Sequence, residues 1–279
     1  MKPATFDYVR AESIEHAVTH LAAAEGDGKI LAGGQSLMPV LALRLAQPSI
    51  LIDINRIPGL ASISQAGTGD LRIGALTRHR FLAGQHTHPL LAEAARWIGH
   101  AAIRTRGTLG GSLAHADPAA ELPVVAAATS AAVLVTGPAG QRRVAAADLF
   151  TGTLQTSLAD DELIEAVDFP APTRWGFAEF ARRHGDFGLV TVATAEVGGR
   201  LQVAIGGVAG TPLRPAATEE ILAAGPLSTS RIAAAAAAAA EEIQPAADIH
   251  ATAGYRRQLT RVLLARALSQ AARGQRDAG

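Results

Sequence analysis

Two glycine pairs, set about 75 residues apart, constrain the fold more than any other feature of this 279-residue chain. They lie in residues 32–36 (AGGQS) and 108–112 (TLGGS). Glycine adopts positive φ and lets the backbone approach a ligand closely, and the serine after each pair adds a hydroxyl donor. Two such turns predict a pair of cradles for phosphate groups. The alternative is that each pair meets only the steric needs of a strand end.

Composition narrows the classes of function. Lys plus Arg and Asp plus Glu both number 25, so no basic surplus favours nucleic acid or anionic lipid as a partner. The chain has no cysteine, which excludes an iron–sulfur cluster held by its own thiolates and leaves an organic cofactor as the carrier of any electrons.

Apolar residues make up 48% of the chain, but no run reaches the roughly 18 residues of a membrane span. The first residues also lack the apolar stretch of a signal peptide. A cytoplasmic protein without a membrane span is predicted.

The first 55 residues have the pattern of a βαβ unit. An amphipathic helix is expected over residues 12–25, with Ser13 as its N-cap. A short strand at 30–32 runs into the first glycine pair, a helix follows at 36–45, and a second buried strand is expected at 50–54. The glycine pair therefore falls at the carboxyl end of a strand, where α/β sheets bind ligands.

Further along, the pattern predicts a strand ending at Thr77, a helix at 88–97, a helix at 122–128, a hairpin over 131–144 and a strand at 162–169. Two prolines then indicate a boundary near residue 173. Three strands at 177–182, 190–196 and 201–208 predict an antiparallel sheet, and helices at 228–243 and 254–273 complete the chain.

Several of these segments together resemble one family. The segments LAGGQSLMPVLALRLAQPSILIDINRIPGL (31–60), IGALTRH (73–79), IRTRGTLGGSLAHADPAAELP (103–123), RRHGDFGLVTVA and GGVAGTPLRPAATEEIL occur in the family's order over nearly the whole chain. The family is the FAD-binding medium subunit of the molybdenum hydroxylases, which include aerobic carbon monoxide dehydrogenase and xanthine dehydrogenase. The resemblance implies an α+β protein with two α/β subdomains of the vanillyl-alcohol-oxidase/p-cresol-methylhydroxylase type (residues 1–56 and 57–173). A C-terminal domain (174–279) with a three-stranded antiparallel sheet and helices follows.

The same resemblance assigns a noncovalent FAD to the glycine segments. A diphosphate needs several N–H donors where side chains do not crowd it, and the implied pyrophosphate ligands are Ala32, Gly33, Gly34, Gln35, Ser36, Thr108, Gly110, Gly111 and Ser112. Relatives often have His where this chain has Gln35, a change that leaves the backbone donors in place.

Three further side chains are candidates for the cofactor. Asp117 and Glu121 lie four residues apart, hence on one side of a helical turn, and are implied to accept hydrogen bonds from ribityl or ribose hydroxyls. The alternative for Asp117 is a cap on a helix that begins at Pro118. Phe187 is implied to cover one face of the flavin where relatives often carry Tyr; the alternative is an ordinary core phenylalanine.

The function implied is electron transfer. A large molybdenum-cofactor subunit oxidises the substrate, a small subunit carries iron–sulfur clusters, and this chain passes the electrons through FAD to an external acceptor, in a dimer of heterotrimers. No catalytic residue and no metal ligand is assigned to the chain itself. Two alternatives stay open: a self-contained flavin-dependent oxidase or dehydrogenase of the same fold, and a nucleotide-binding assembly module. The substrate and the acceptor, whether NAD, quinone, carrier protein or oxygen, are not determined.

Overall fold

A small parallel sheet with two crossover helices forms the N-terminal part of the computed structural model, which describes residues 2–274. Its elements are β1 (Asp7–Arg10), α1 (Ile14–Ala23), β2 (Gly28–Leu31), α2 (Leu37–Ala42) and β3 (Ile50–Asp53). The strand order is β1-β3-β2, and both pairs are parallel. The predicted N-cap is confirmed, since the Ser13 hydroxyl accepts from the His16 N–H at 3.1 Å. The sequence pattern missed β1 because its side chains are mostly exposed and show no apolar alternation.

An antiparallel sheet with helices follows. Its elements are β4 (Ile63–Gln65), β5 (Leu71–Gly74), α3 (His79–Gly84), α4 (Pro89–Trp97), α5 (Ala101–Arg106), α6 (Leu109–His115), α7 (Glu121–Ala128), β6 (Ala132–Gly137), β7 (Gly140–Ala145), α8 (Ala146–Leu149), β8 (Phe150–Gly152), β9 (Gln155–Thr156) and β10 (Leu163–Phe169). The main sheet has the order β4-β5-β10-β6-β7. The predicted hairpin is confirmed as β6–β7. The predicted turn at 108–112 is wrong: the second glycine pair lies in the first turn of α6.

The C-terminal part contains the predicted three-stranded antiparallel sheet. Its elements are β11 (Trp175–Phe180), β12 (Val190–Val197), β13 (Arg200–Gly206), α9 (Ala216–Ala223), α10 (Thr229–Glu242) and α11 (Ala253–Gly274). One face of the sheet packs against α7 and the other against α9 and α11, so its central strand is buried on both sides. Between residues 2 and 274, no helix combines the length and apolarity of a membrane span.

An ion-pair network around one buried carboxylate joins three strands of the large sheet. Asp168 on β10 is fully buried, and its carboxylate accepts two bonds from Arg72 on β5, at 2.7 and 2.9 Å. Arg143 on β7 donates a third at 2.8 Å. The hydrogen bonds from Arg72, with those from Arg143, lower the pKa of Asp168.

This network gives a pH-dependent stability prediction. Asp168→Asn removes the charge that both arginines bind, and we expect the free energy of unfolding to fall by about 1–3 kcal/mol at neutral pH. Because the folded-state pKa lies below the ordinary value, the contribution exists above about pH 4 and disappears as the pH falls through the folded pKa. Urea titrations at about pH 7 and about pH 3 should show the deficit shrinking at the lower pH. Asp160→Asn, at an exposed position, is the control; an equal deficit at both pH values would contradict the prediction.

Candidate functional site

The two glycine segments meet in the folded chain. A methyl group at Gly33 would overlap the carbonyl oxygen of Arg106 and lie 3.0 Å from the Cα of Gly107. The segment after β2 therefore packs backbone to backbone on the connection between α5 and α6, and only glycine permits that approach. This contact brings together two motifs that are distant in the sequence.

The first segment, residues 32–36, presents unused backbone donors. Within residues 2–274, the N–H groups of Gly33, Gly34, Gln35 and Ser36 make no hydrogen bond, and neither does the Ser36 hydroxyl. Gly34 has φ +74°, a left-handed conformation that turns successive N–H groups toward a common side. Buried or half-buried backbone donors normally find a partner. Four consecutive free donors therefore fit an anionic ligand.

The second segment is built differently. The N–H groups of Leu109, Gly110 and Ser112 donate to the carbonyls of Thr77, Ala75 and Thr108, at 3.0, 2.8 and 3.0 Å. The Thr108 hydroxyl caps α6 by accepting from the Gly111 N–H at 3.2 Å. Thr108 and Gly110 therefore stabilise the fold locally. The Gly111 N–H is used in this cap, so the Ser112 hydroxyl, which has no partner among the described residues, is a donor that this segment offers to a ligand, while the exposed Gly111 leaves room for a close approach.

Asn55 and Arg78 fix the geometry of the first segment, and sequence reasoning missed both. The Asn55 side-chain amide donates to the carbonyls of Leu31 and Ala32, at 3.2 and 2.8 Å. Its oxygen accepts from Arg78 at 2.6 Å, and Arg78 also donates to the Arg106 carbonyl. One signal was available: Asn55 stands just after β3, at the same edge of the sheet as the glycine pair.

Positive charge surrounds this junction. Burial and then repulsion from Arg106 and Arg80 lower the pKa of Arg78, with Asp53 as the opposing charge. Arg78, which is bound to Asn55, therefore lies where the positive charges of Arg80 and Arg106 act on it and Asp53 is the opposing negative charge. A bound diphosphate would relieve that repulsion, which is a second feature of this structure that fits a nucleotide cofactor.

Two polar side chains are buried next to the backbone that leads into the second glycine segment. Thr77 and His79 are buried, and the Thr77 hydroxyl and both His79 ring nitrogens make no hydrogen bond of good geometry within residues 2–274. The His79 ring lies against Gly107, where a methyl group would be 2.7 Å from Nδ1. Burial lowers the pKa of His79 to about 4, so the ring is neutral and adds no charge.

Asp117 and Glu121 flank the start of α7. Asp117 does not cap a helix at Pro118; its carboxylate accepts from the Ala119 N–H at 2.9 Å within a turn, and α7 starts only at Glu121. Glu121 is buried at 5% exposure, and burial, reinforced by the charge of Asp117, raises its pKa. The charge of Asp117 acts on Glu121, but the two residues are joined by a turn and not by the helical turn that their spacing predicted.

Phe187 lies on an exposed loop between β11 and β12. It is 66% exposed, so the alternative of a core phenylalanine is wrong. The loop is held against the middle part of the chain because Gly185, with φ +86°, packs directly on the ring of His100. The His100 and His184 rings are 6.1 Å apart. An exposed aromatic ring on a well-anchored loop is available to cover a planar ligand.

The free donors, the positive charge around Arg78 and the close glycine contact together fit a nucleotide cofactor. Comparison with known proteins identifies the cofactor. Residues 4–172 match the family described as the FAD-binding domain in molybdopterin dehydrogenase, and residues 175–271 match the CO dehydrogenase flavoprotein C-terminal domain. The chain belongs to this family of FAD-binding oxidoreductase subunits, and the predicted family, fold class and cofactor are confirmed.

The relatives agree along their whole length. The chain is 44% identical to the 6-hydroxypseudooxynicotine dehydrogenase complex subunit alpha of Paenarthrobacter nicotinovorans, covering 97% of this chain and 96% of that protein. It is 42% identical to the nicotine 6-hydroxylase medium subunit of the same organism, covering 97% and 99%. The crystal structure of quinoline 2-oxidoreductase from Pseudomonas putida 86 superposes with a TM-score of 0.92 at 36% identity, covering 98% of this chain and 99% of that one.

Proposed function

We propose that FAD binds with its pyrophosphate on the free N–H groups of Gly33, Gly34, Gln35 and Ser36, and that this chain passes electrons through it. The run of unpaired donors, held on the Arg106–Gly107 backbone, is the observation that carries the proposal. Gly111 and Ser112 would contact the cofactor from α6. Asp117 and Glu121 would accept hydrogen bonds from its ribityl or ribose hydroxyls, and Phe187 would cover its flavin ring. Bound FAD supplies electron-transfer chemistry that side chains lack, while the protein binds and orients it.

The electrons would come from iron–sulfur clusters in a small partner subunit, after oxidation of a substrate at a molybdenum cofactor in a large one. The absence of cysteine supports this division, because the chain has no thiolates with which to hold a cluster. Membership in a family of subunits favours it over a self-contained flavin oxidase. A dimer of heterotrimers in the cytoplasm is the assembly that we propose.

Absorption spectroscopy tests the cofactor. The spectrum of the purified chain is recorded before and after acid precipitation, and again for the complex that co-purifies with it. Flavin bands that appear in the supernatant as FAD would support noncovalent binding. A colourless chain that cannot be reconstituted with FAD would favour the assembly-module alternative.

The partner proposal needs a separate measurement. Metal analysis of the tagged complex should find iron and molybdenum, with two further polypeptides in equal amounts. Mass determination by light scattering then tests the dimer of heterotrimers. Steady turnover of an organic substrate by the isolated chain would contradict the electron-transfer role and support the self-contained oxidase.

A further inference from the structure

Two buried carboxyl groups lie at the junction between the FAD-binding part and the C-terminal sheet. Glu121 and Glu179 are 5% and 7% exposed, and the charge of Glu121 acts on Glu179. Within the described residues neither side chain forms a salt bridge; the paired carboxylates are those of Glu93, Glu162, Asp168, Glu196, Glu219 and Asp248. Buried carboxyls without a cation are uncommon and point to a role beyond packing.

The strand register explains how the two groups come together. Glu179 on β11 pairs with Thr191 on β12, whose hydroxyl donates to it at 3.2 Å. Thr191 in turn pairs with Gly206 on β13. A methyl group at Gly206 would lie 2.6 Å from Val124. The first turn of α7, which begins at Glu121, therefore packs directly on the sheet beside the paired residues Thr191 and Gly206.

The loop that carries Phe187 packs on Glu179. A methyl group at Gly188 would lie 3.0 Å from both Cγ and Cδ of Glu179, so the loop backbone rests on that side chain. The charge of Asp117 acts on Glu121. Glu121 and Glu179 are therefore linked to Asp117 and to the Phe187 loop, respectively, two parts of the chain that the proposed function places on FAD.

The charged surroundings do not neutralise the pair. Asp117 adds negative charge, and Arg256, which lies on α11, is bound by the carbonyls of Leu189 and Gly207 and by Asp248. The covering loop also carries the titratable or charged residues Arg182, Arg183, His184 and Asp186. Burial raises the pKa of both carboxyls, and the charge of Glu121 raises that of Glu179 further. Glu121 is the first residue of α7, where the free N–H groups of the helix favour a carboxylate, so it is the carboxyl of the two that ionises more readily.

We propose that Glu179 is a positioning residue of the FAD site: as a neutral acid it leaves Glu121 ionised and oriented toward the hydroxyl groups of the cofactor. The inference rests on the proposed FAD site and adds to it a residue outside the glycine motifs. Two adjacent negative charges in a buried site would repel each other, whereas one charge beside a neutral acid does not. FAD binding should therefore be tightest while the pair holds a single proton.

The test is the pH dependence of FAD affinity. The full chain is stripped of FAD and titrated with it calorimetrically from about pH 6 to about pH 10. Wild-type affinity should fall at the acidic end, where Glu121 takes up a proton, and at the alkaline end, where Glu179 loses its own. Each limb should approach about a tenfold change per pH unit beyond the pKa concerned. Glu179→Gln should keep the acidic limb and abolish the alkaline one.

A second variant separates titration from packing. Thr191→Val removes the hydroxyl that stabilises ionised Glu179, so the pKa of Glu179 should rise. In this variant the alkaline fall in FAD affinity should therefore move to higher pH, although both carboxyls remain. Glu241→Gln, an equal charge change on an exposed part of α10, should behave as wild type. An unchanged alkaline limb in Glu179→Gln, or no shift in Thr191→Val, would overturn the role of Glu179. Failure of the wild type to bind FAD at every pH would instead overturn the proposed function.

Discussion

Gly34→Val should give a folded protein that contains almost no FAD. Gly34 has φ +74°, a region that a β-branched residue avoids. Its new side chain would also press on Met38 and Leu31, which lie 3.2 and 3.3 Å from the first added carbon. Since the backbone must rotate, the N–H groups of the first glycine segment would no longer point to a common side. We expect FAD affinity to fall at least about 100-fold, equivalent to about 2.7 kcal/mol.

The measurement is flavin absorbance per chain after purification, with the dissociation constant from fluorescence titration. Gly69→Val is a matched control because Gly69 also has positive φ, at +86°, but faces open space in the hairpin between β4 and β5. Both variants carry backbone strain, so they should lose similar thermal stability. Normal flavin content in Gly34→Val would remove the first glycine segment from the cofactor site.

Gly176→Val should prevent the C-terminal sheet from packing. A side chain at Gly176 on β11 would overlap the backbone carbonyl of Ala267 in α11, which is rigid and buried. The helix must move away from the sheet, and the contacts of Leu263, Leu264 and Leu268 would loosen with it. We expect the free energy of unfolding to fall by more than about 3 kcal/mol.

Urea unfolding followed by circular dichroism measures this loss. Gly254→Ala lies in the same helix but faces open space, so it should be neutral or stabilise the protein by up to about 1 kcal/mol through helix propensity. A wild-type unfolding midpoint for Gly176→Val would show that α11 does not depend on its close contact with β11.

Local patterns predicted the regular elements well where they carried their own signal. Helix α1 has a Ser13 cap and an apolar face, and the C-terminal strands alternate with clear glycine turns. The missed helices α3, α5, α6, α8 and α9 have four to eight residues. Isolated helices of that length are unstable in water, so tertiary contacts decide whether they form. The error at residues 108–112 has this origin.

The amino-acid sequence alone determined the family, the FAD cofactor and the fold class, because long motifs recur in order and glycine pairs fall at predictable places. Only the tertiary structure showed that the free donors belong to the first segment, that Asn55 and Arg78 hold it, and that the charge of Glu121 acts on the buried Glu179. Each of these depends on residues 23 or more positions apart. Side-chain periodicity reports which face of an element is buried, but not which distant residue will pack against it.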